Sequence, residues 1–474
     1  SGPNNGGLEL RVSSTGEVSL YLLGSVKVAG KTPAQAEKHI RELLMKDYIR
    51  DPHVLVQVKE YRVNNVTVIG QVQKPGLVAL PGEQRIDLVA GIALAHEQFA
   101  TKAWADLIAP ATVLAEGGLP TNLFTTLLIS AAAEDLRKFE TSNAIYLDNG
   151  LAPAGLQGKP PPRRNMGELA NTLKRLANAG PKDFYEGEIA EKIVRNANAG
   201  GSLISLDDLA SYSAITHDAV SMPYADATVF AAPGLTAGPT MFDVLSRIDG
   251  KISFENGSPC ADAYEHYAAA LKAAYETRLA TMGDASDARD PACTTHLTAI
   301  DGEGNMVTLT QTLLSAFGSK VVLPDTGILM NNGIMWFDTR PGGPNSLAPG
   351  KRPLCNMCPS IVRRPNGFNF AIGASGGRRI MPAVLQNISL MVDGGLSLSD
   401  AIHHPRIDVS GGEIANANID LSAEAIRAVE RVMQVVPVED AVFPSNFACP
   451  NGVAAVSYTH LRAHETDSYI VCSH

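Results

Sequence analysis

Residues 293–312 read Cys-Thr-Thr-His-Leu-Thr-Ala-Ile-Asp-Gly-Glu-Gly-Asn-Met-Val-Thr-Leu-Thr-Gln-Thr, and this stretch decides the fold around it. Two β-rich runs, Thr294 to Ile300 and Met306 to Thr312, flank an Asp-Gly-Glu-Gly-Asn core that is typical of a turn. A symmetric hairpin centred on Glu303 places Thr294 directly opposite Thr312. Directly opposed β-carbons lie about 4.5–5.5 Å apart, so the pattern predicts two hydroxyl groups within reach of each other.

The pair of threonines has a chemical and a structural interpretation. A threonine hydroxyl is a weak nucleophile, and the α-amine of the same threonine can serve as its base. That amine would exist only if the chain were cut between Cys293 and Thr294. The structural interpretation is that both are ordinary strand residues, since β-branched side chains are common in strands.

A second candidate element is the pair Gly376-Gly377. Phe368 to Gly373 predicts a short strand and Arg379 to Met391 predicts a helix, so the glycines lie at a strand-to-helix turn with N–H groups free at the helix start. Acyl transfer develops negative charge on a carbonyl oxygen, and losing one fixed N–H donor there costs about 3–4 kcal/mol. On its own, such a pair more often only closes a loop.

Further motifs follow in a fixed order. They are Thr-Gln-Thr-Leu-Leu-Ser-Ala-Phe-Gly-Ser over 310–319, Gly-Ile-Leu-Met-Asn-Asn-Gly-Ile-Met-Trp-Phe-Asp over 327–338, Pro-Gly-Lys-Arg-Pro-Leu-Cys-Asn-Met-Cys-Pro over 349–359 and Gly-Ala-Ser-Gly-Gly-Arg-Arg-Ile over 373–380. Together with the hairpin, they resemble the γ-glutamyltransferase family of N-terminal-nucleophile hydrolases over roughly residues 93–455. The resemblance implies an α+β fold, the four-layer αββα sandwich of that class. It starts mid-family near His96, which implies that the first elements are missing.

The resemblance also implies a set of roles. The precursor would cut itself between Cys293 and Thr294, leaving a large chain (93–293) and a small chain (294–455) that stay paired. Thr294 would be the nucleophile with its own amine as base, Thr312 would orient it, and the N–H groups of Gly376 and Gly377 would form the oxyanion hole. The family uses no metal or organic cofactor, acts on small amides and gives His296 no catalytic role.

The expected substrate positions depart from the glutathione-type pattern. Family members that transfer γ-glutamyl groups hold the amino-acid end of glutamate with an acidic residue, a pair of serines and an asparagine. The matching positions here are Trp336, Cys355 with Asn356, and Leu314. Without the acid, an α-ammonium group loses a contact of about 1.5–3 kcal/mol. The pattern is closer to the acylase-like branch, which resembles cephalosporin (glutaryl) acylases.

The neighbouring Asn331-Asn332 is a candidate polar turn in the substrate cleft. A substrate-binding role for Asn332 and a purely structural role are both open.

The two ends of the chain carry other patterns. Residues 1–92 resemble the periplasmic portion of polysaccharide export proteins, a small α+β module with one helix from Pro33 to Met45. Residues 456–474 look like translated sequencing-adapter sequence. We therefore expect an artificial join between about Leu88 and His96. Two alternatives to an enzyme follow: an assembly module for polysaccharide export, and an inert chimeric fragment. Both parent families would belong in the bacterial periplasm.

Composition excludes some classes of function. The 474 residues are 45% hydrophobic and 19% charged, as in globular proteins, and the net charge of −10 argues against a nucleic-acid partner. The longest apolar run, Leu88 to Ala95, is far shorter than the ~20 residues of a membrane-spanning helix. Cys355 and Cys358 form a single Cys-x-x-Cys without a second pair at zinc-site spacing, so we expect buried structural thiols.

Residues 96–250 read as scaffold. The spacing of apolar residues predicts helices over 167–179 and 184–199, and Ser205 to Asp208 predicts an N-terminal cap. Residues 224–232 predict a strand, followed by a loop over 233–239.

Overall fold

A computed structural model describes residues 17–20, 23–28, 33–47, 54, 85–154, 160–282, 292–348, 351–365, 367–439 and 446–455. The predicted adapter-like tail, 456–474, lies outside these residues, as does most of the second half of the predicted 1–92 module. The chain divides into two compact units, and the described residues of the second begin at Arg85.

The first unit contains a β-hairpin and a helix among its described residues. Strands β1 (Glu17–Leu20) and β2 (Gly24–Lys27) pair antiparallel, and α1 spans Pro33–Asp47. Val18, Val26 and Ile40 form the buried core. The predicted helix is confirmed, and it continues two residues beyond Met45.

The second unit contains the following helices: α2 (Arg85–Phe99), α3 (Trp104–Gly117), α4 (Leu123–Leu136), α5 (Glu140–Tyr146), α6 (Leu169–Ala179), α7 (Asp183–Glu186), α8 (Glu188–Ala199), α9 (Leu206–Ala210), α10 (Gly238–Ile248), α11 (Ala261–Thr281), α12 (Ile380–Val392), α13 (Leu398–His403) and α14 (Ala423–Glu430). Its strands are β3 (Leu119–Pro120), β4 (Arg163–Arg164), β5 (Val220–Tyr224), β6 (Ala227–Ala231), β7 (Phe254–Glu255), β8 (Ser258–Pro259), β9 (Ala292–Ile300), β10 (Met306–Ser315), β11 (Ser360–Arg363), β12 (Asn369–Ser375), β13 (Ile407–Asp408), β14 (Ile414–Asn418), β15 (Gln434–Val438) and β16 (Cys449–Ala455).

The second unit is layered, and its central sheet has the strand order β16-β12-β11-β6-β5. Helices α10, α11 and α12 share one large hydrophobic core with this sheet. The β9–β10 hairpin lies against β12 and β16, and α2 contacts β10. This arrangement of helices, two sheets and a further helix confirms the predicted α+β fold.

Helix α12 is buried on every side, from Ile380 to Val392. A helix that is apolar all round belongs in the interior of a large unit. The predicted helix over Arg379 to Met391 is confirmed, and all of its faces are covered by neighbouring residues. This burial fixes the turn that precedes the helix, which carries Gly376 and Gly377.

Most scaffold predictions are confirmed, with two corrections. Helix α6 matches the predicted 167–179, and Ser205 forms a capping box with Asp208 at the start of α9. The helix predicted over 184–199 is two helices, α7 and α8, because the chain breaks at Gly187, where a Cβ would lie 2.1 Å from Asp183 Oδ1. The strand predicted over 224–232 is β6 (Ala227–Ala231), which starts three residues later because the chain turns at Ala225, whose φ is 49°.

The cysteine prediction is confirmed. Cys355 and Cys358 are buried thiols that form no disulfide with another described residue, and burial raises the pKa of Cys358 to about 12. Among the described residues, no helix is both long and apolar enough to cross a membrane.

Candidate active site

The β9–β10 hairpin has the register that its sequence predicts. Met306 pairs with Ile300 beside the turn, and Thr312 pairs with Thr294 at the far end. Asp301 fixes the turn, since its Oδ1 accepts the N–H groups of Glu303 (2.9 Å) and Asn305 (2.8 Å). This local carboxylate-to-backbone bonding is a common way to hold a tight turn. The turn therefore sets which residues meet at the other end of the hairpin.

Thr294 and Thr312 meet through their hydroxyl groups. Thr294 Oγ1 donates a hydrogen bond of 3.1 Å to Thr312 Oγ1, which also accepts the Leu314 N–H at 2.9 Å. The regular pairing of β10 breaks between Thr312 and Ser315, and Leu314 has a φ of 73°. This left-handed backbone conformation is unfavourable for a leucine, and such strain is often found at functional sites.

The Gly376-Gly377 turn lies where the sequence predicts it, between β12 and α12. The ladder of β12 with β16 ends at Ser375, so both glycine N–H groups lie past the last paired residue. Gly376 has a φ of 141°, and a Cβ there would lie 2.6 Å from Ala448 Cα. Gly377, with a φ of 63°, begins a short 3₁₀ turn, Gly377–Arg379, that leads into α12. Only glycine fits the first position, both for its conformation and for its space.

One cavity joins these elements. It is a small pocket lined by Thr294, Thr312, Leu314, Trp336, Asn356, Met357, Gly377 and Ile380, and the roughly 250 Å³ around it that no atom fills includes open solvent. Thr294, Thr312, Gly377, Trp336 and Asn356 were predicted as site residues, and the fold brings all five to this cavity. Gly376 and Cys355 are the immediate neighbours in sequence of two lining residues.

The cavity has an apolar wall. Leu314, Trp336, Cys355 and Met357 form a buried cluster, and Trp336 is only 7% exposed. None of the described residues that line the cavity has an ionisable side chain. A charged group placed against this wall would lose its hydration without gaining a countercharge from it.

Asn332 is placed differently from the other predicted binding residues. Its Oδ1 accepts the Ser315 N–H at 3.0 Å, and its Nδ2 donates to Ser315 Oγ at 2.8 Å. It does not line the cavity. These bonds hold the irregular end of β10, so Asn332 supports the site from outside.

His296 is a buried side chain beneath the hairpin. Its Nδ1 lies 2.8 Å from Thr310 Oγ1 and its Nε2 lies 3.2 Å from Thr308 Oγ1. Burial lowers the pKa of His296 to about 3, so the ring is neutral at physiological pH. The ring lies between the hairpin and Gly373 of β12; the expectation that it has no catalytic role stays a prediction.

Arg278 is the residue of this region that sequence reasoning missed. It lies near the end of α11, is 2% exposed, and donates to the Cys355 carbonyl oxygen at 2.7 Å. A signal was present in the sequence, because Tyr267, Leu271 and Ala274 precede it at the 3- and 4-residue spacing of a buried helix face. A charged residue on such a face is rare unless it serves a specific purpose.

Comparison with known proteins agrees with this geometry. The family model "Gamma-glutamyltranspeptidase" matches residues 57–292 and 285–430. A second family model, "Polysaccharide biosynthesis/export protein", matches residues 3–59. The two matches meet near residues 57–59, inside the region for which the sequence predicts the export-like module; the predicted boundary at 92/93 stays a prediction.

The chain is also similar to individual proteins. A glutathione hydrolase proenzyme of Pseudomonas sp. (strain A14) is 28% identical over 378 residues, which are 69% of this chain and 64% of that protein. The Acylase ACY 1 proenzyme of Pseudomonas sp. (strain SE83) is 29% identical over 388 residues, 74% of this chain and 68% of that protein. The chain thus spans about 64% of the length of the glutathione hydrolase that it matches.

Among solved structures, the cephalosporin acylase from Bacillus halodurans has the same fold. The TM-score is 0.69 at 23% identity, and the match covers 79% of this chain and 74% of the acylase. The gamma-glutamyltranspeptidase model, in turn, covers well over half of the chain. The chain therefore belongs to the gamma-glutamyltranspeptidase family.

Proposed function

We propose that the chain is a self-processing amidohydrolase and acyltransferase that uses Thr294 as its nucleophile. The observation that carries this proposal is the position of the Thr294 hydroxyl, 3.1 Å from Thr312 Oγ1 and in one cavity with Gly377. A nucleophile, a group that orients it and a turn whose N–H groups lie past the last paired strand residue are the parts that acyl transfer needs. Membership of the family supports the same chemistry.

In the first stage, Thr294 Oγ attacks the carbonyl carbon of Cys293. The peptide C–N bond breaks as an ester forms, and the nitrogen of Thr294 becomes a free amine. Water then hydrolyses the ester, which leaves Cys293 as a carboxyl terminus and Thr294 as an amino terminus. The large and small chains would stay paired because α10 and α11 of the large chain share one hydrophobic core with β12 and α12 of the small chain.

In the second stage, Thr294 Oγ attacks the carbonyl carbon of a substrate amide. The free α-amine of Thr294 takes the hydroxyl proton and delivers it to the departing amine. The N–H groups of Gly376 and Gly377 would stabilise the negative oxygen of the tetrahedral intermediate. Water or a second amine then takes the acyl group from Thr294, which restores the enzyme. The acyl donor is a γ-glutamyl amide or a related acyl amide.

The test is amine release from a panel of acyl p-nitroanilides by the purified chain. We expect release by the wild-type chain and by Thr295→Ala, because Thr295 is exposed and points to the opposite face of β9. Thr294→Ala should release no nitroaniline. Equal release by Thr294→Ala and the wild-type chain would contradict the proposal.

For the first unit we propose a binding or assembly role. The match of residues 3–59 to the export-protein family supports it. Removal of residues 1–54 should leave nitroaniline release unchanged if this unit takes no part in the chemistry. A complete loss of release from a soluble, folded product would overturn this assignment.

A further inference from the structure

Arg278 is a buried cation next to the candidate active site. Among the described residues, no carboxylate lies within 4 Å of its guanidinium group, and its Nε has no hydrogen-bond partner. A buried charge without an acidic partner is costly unless neutral groups satisfy it. The groups that Arg278 contacts should therefore reveal its purpose.

Its hydrogen bonds join the helical core to the cavity wall. Nη1 donates to the Thr236 carbonyl oxygen (3.2 Å) and to Thr240 Oγ1 (3.1 Å), next to and within α10. Nη2 donates to the Cys355 carbonyl oxygen (2.7 Å) and to Asn356 Oδ1 (3.4 Å). The guanidinium group thus holds both the backbone and the side chain of the segment that carries Asn356.

These contacts decide which end of the Asn356 amide meets the cavity. Asn356 is 5% exposed and lines the cavity, and its oxygen faces Arg278. No described residue accepts a hydrogen bond from its Nδ2. The NH₂ group is therefore what Asn356 can offer to an occupant of the cavity, and the nearby positive charge strengthens it as a donor.

A fixed donor backed by a cation favours one class of substrate. It attracts an acceptor such as a carboxylate or carbonyl oxygen, and it repels an ammonium group. The apolar side chains of Leu314, Trp336 and Met357, which also line the cavity, offer an ammonium group no carboxylate or carbonyl acceptor.

We propose that Arg278 is a positioning residue that, through Asn356, makes the pocket select acyl chains that carry a hydrogen-bond acceptor and no ammonium group. This proposal rests on the proposed function, because it assumes that the acyl group binds in the cavity beside Thr294. The selection itself is a difference in binding affinity. The binding preference can therefore be measured on a variant that does not hydrolyse the substrate.

The experiment uses the full chain with Thr294→Ala and measures dissociation constants by calorimetry for three p-nitroanilides. Glutaryl and γ-glutamyl anilides differ only in the α-ammonium group, and butyryl anilide lacks the carboxylate as well. We expect the glutaryl compound to bind about tenfold more tightly than either of the others, the effect of one hydrogen bond to a charged group.

Variants in the same background separate selection from folding. Asn356→Ala and Arg278→Met should bring the dissociation constants of the glutaryl and butyryl anilides to within about twofold of each other. Arg278→Lys should restore part of the preference for the glutaryl anilide. Thr295→Ala, on the exposed face of β9, should change nothing. A purely structural role for Arg278 would weaken all three ligands alike, and Asn356→Ala tests the pocket even if Arg278→Met does not fold.

Two results would overturn the proposal. One is equal or tighter binding of the γ-glutamyl compound by the Thr294→Ala chain, and the other is an unchanged glutaryl preference in Asn356→Ala. Because no hydrolysis is needed, failure here is distinct from failure of the nitroaniline-release assay, which tests the proposed function.

Discussion

Thr294 holds its hydroxyl in place before it has the amine that would activate it. Its nitrogen lies within strand β9, while its Oγ1 already donates to Thr312. Thr312 Oγ1 is fixed in turn by the Leu314 N–H. Leu314 has a positive φ, a conformation that costs of order 1–3 kcal/mol in a leucine and that lies two residues from Thr312.

Removing the hydroxyl of Thr312 should slow self-cleavage without stopping it. In Thr312→Ala the Thr294 hydroxyl loses its partner, and a net hydrogen bond of about 0.5–1.5 kcal/mol corresponds to a rate loss of up to roughly tenfold. Thr312→Ser keeps the hydroxyl and should cleave at close to the wild-type rate. The measurement is the disappearance of the uncut chain with time; equal rates for Thr312→Ala and wild type would show that the bond has no role.

For single residues, the sequence predicted those whose position follows from strand pairing or from a turn between neighbouring elements. Strand register placed Thr294 opposite Thr312, and a strand-to-helix turn placed Gly376 and Gly377. Arg278 could not be predicted in the same way, because its partners lie 38 to 78 residues away in sequence. The role of Asn332, substrate binding or structural, was left open for a similar reason, since its hydrogen bond to Ser315 depends on the irregular end of β10.

Among the elements, the contact between the hairpin and the central sheet positions the site. His296 of β9 lies directly over Gly373 of β12, where a Cβ would come within 2.1 Å of the ring. Asn451 of β16 adds a hydrogen bond of 2.9 Å to the His296 carbonyl oxygen. The absence of a side chain at Gly373 therefore lets the two sheets approach closely.

A methyl group at Gly373 should force the hairpin away from the sheet. We expect Gly373→Ala to lower the free energy of unfolding by about 1–3 kcal/mol, as overpacking does, and to slow self-cleavage. Gly302→Ala is the matched control, because it lies in the turn of the same hairpin with no atom within 4 Å of an added Cβ. Urea unfolding of both variants provides the comparison, and equal stabilities would contradict the close contact.

Element boundaries were predictable where one periodicity ran without interruption, as in α6. They failed at Gly187 and Ala225, where hydrogen bonds to side chains interrupt a pattern that continues in sequence. Asp183 bonds the Ile189 N–H across the break at 3.2 Å, and Ala225 donates its N–H to Asp249 at 3.2 Å. Both interruptions depend on side chains whose role appears only after folding.

For the whole molecule, the large core of the second unit includes a buried carboxyl group, Asp408. It is 5% exposed, its Oδ2 accepts from Ser410 Oγ at 3.1 Å, and its Oδ1 has no partner among the described residues. Burial raises the pKa of Asp408 to about 6, against the effects of Arg379 and Ser410, which lower it. The ionised form is thus disfavoured in the folded chain.

The sign of this effect on stability follows from proton binding. Below its unfolded pKa of 3.8, Asp408 is protonated in both states and costs nothing; as the pH rises through 6, the folded state loses stability relative to the unfolded one. Asp408→Asn should therefore stabilise the chain at pH 7.5, by up to about 3 kcal/mol, with little gain at pH 4. Thermal unfolding of both proteins at the two pH values checks this; a gain of equal size at both would contradict it.

The proposed chemistry depends on self-cleavage before Thr294, and the most direct test is the intact mass of the purified chain combined with N-terminal sequencing. We predict two fragments, one ending at Cys293 and one whose sequence begins Thr-Thr-His-Leu-Thr. The Thr294→Ala chain should remain a single species of 50.1 kDa. A wild-type chain that stays uncut, or a cut that persists in Thr294→Ala, would contradict the account.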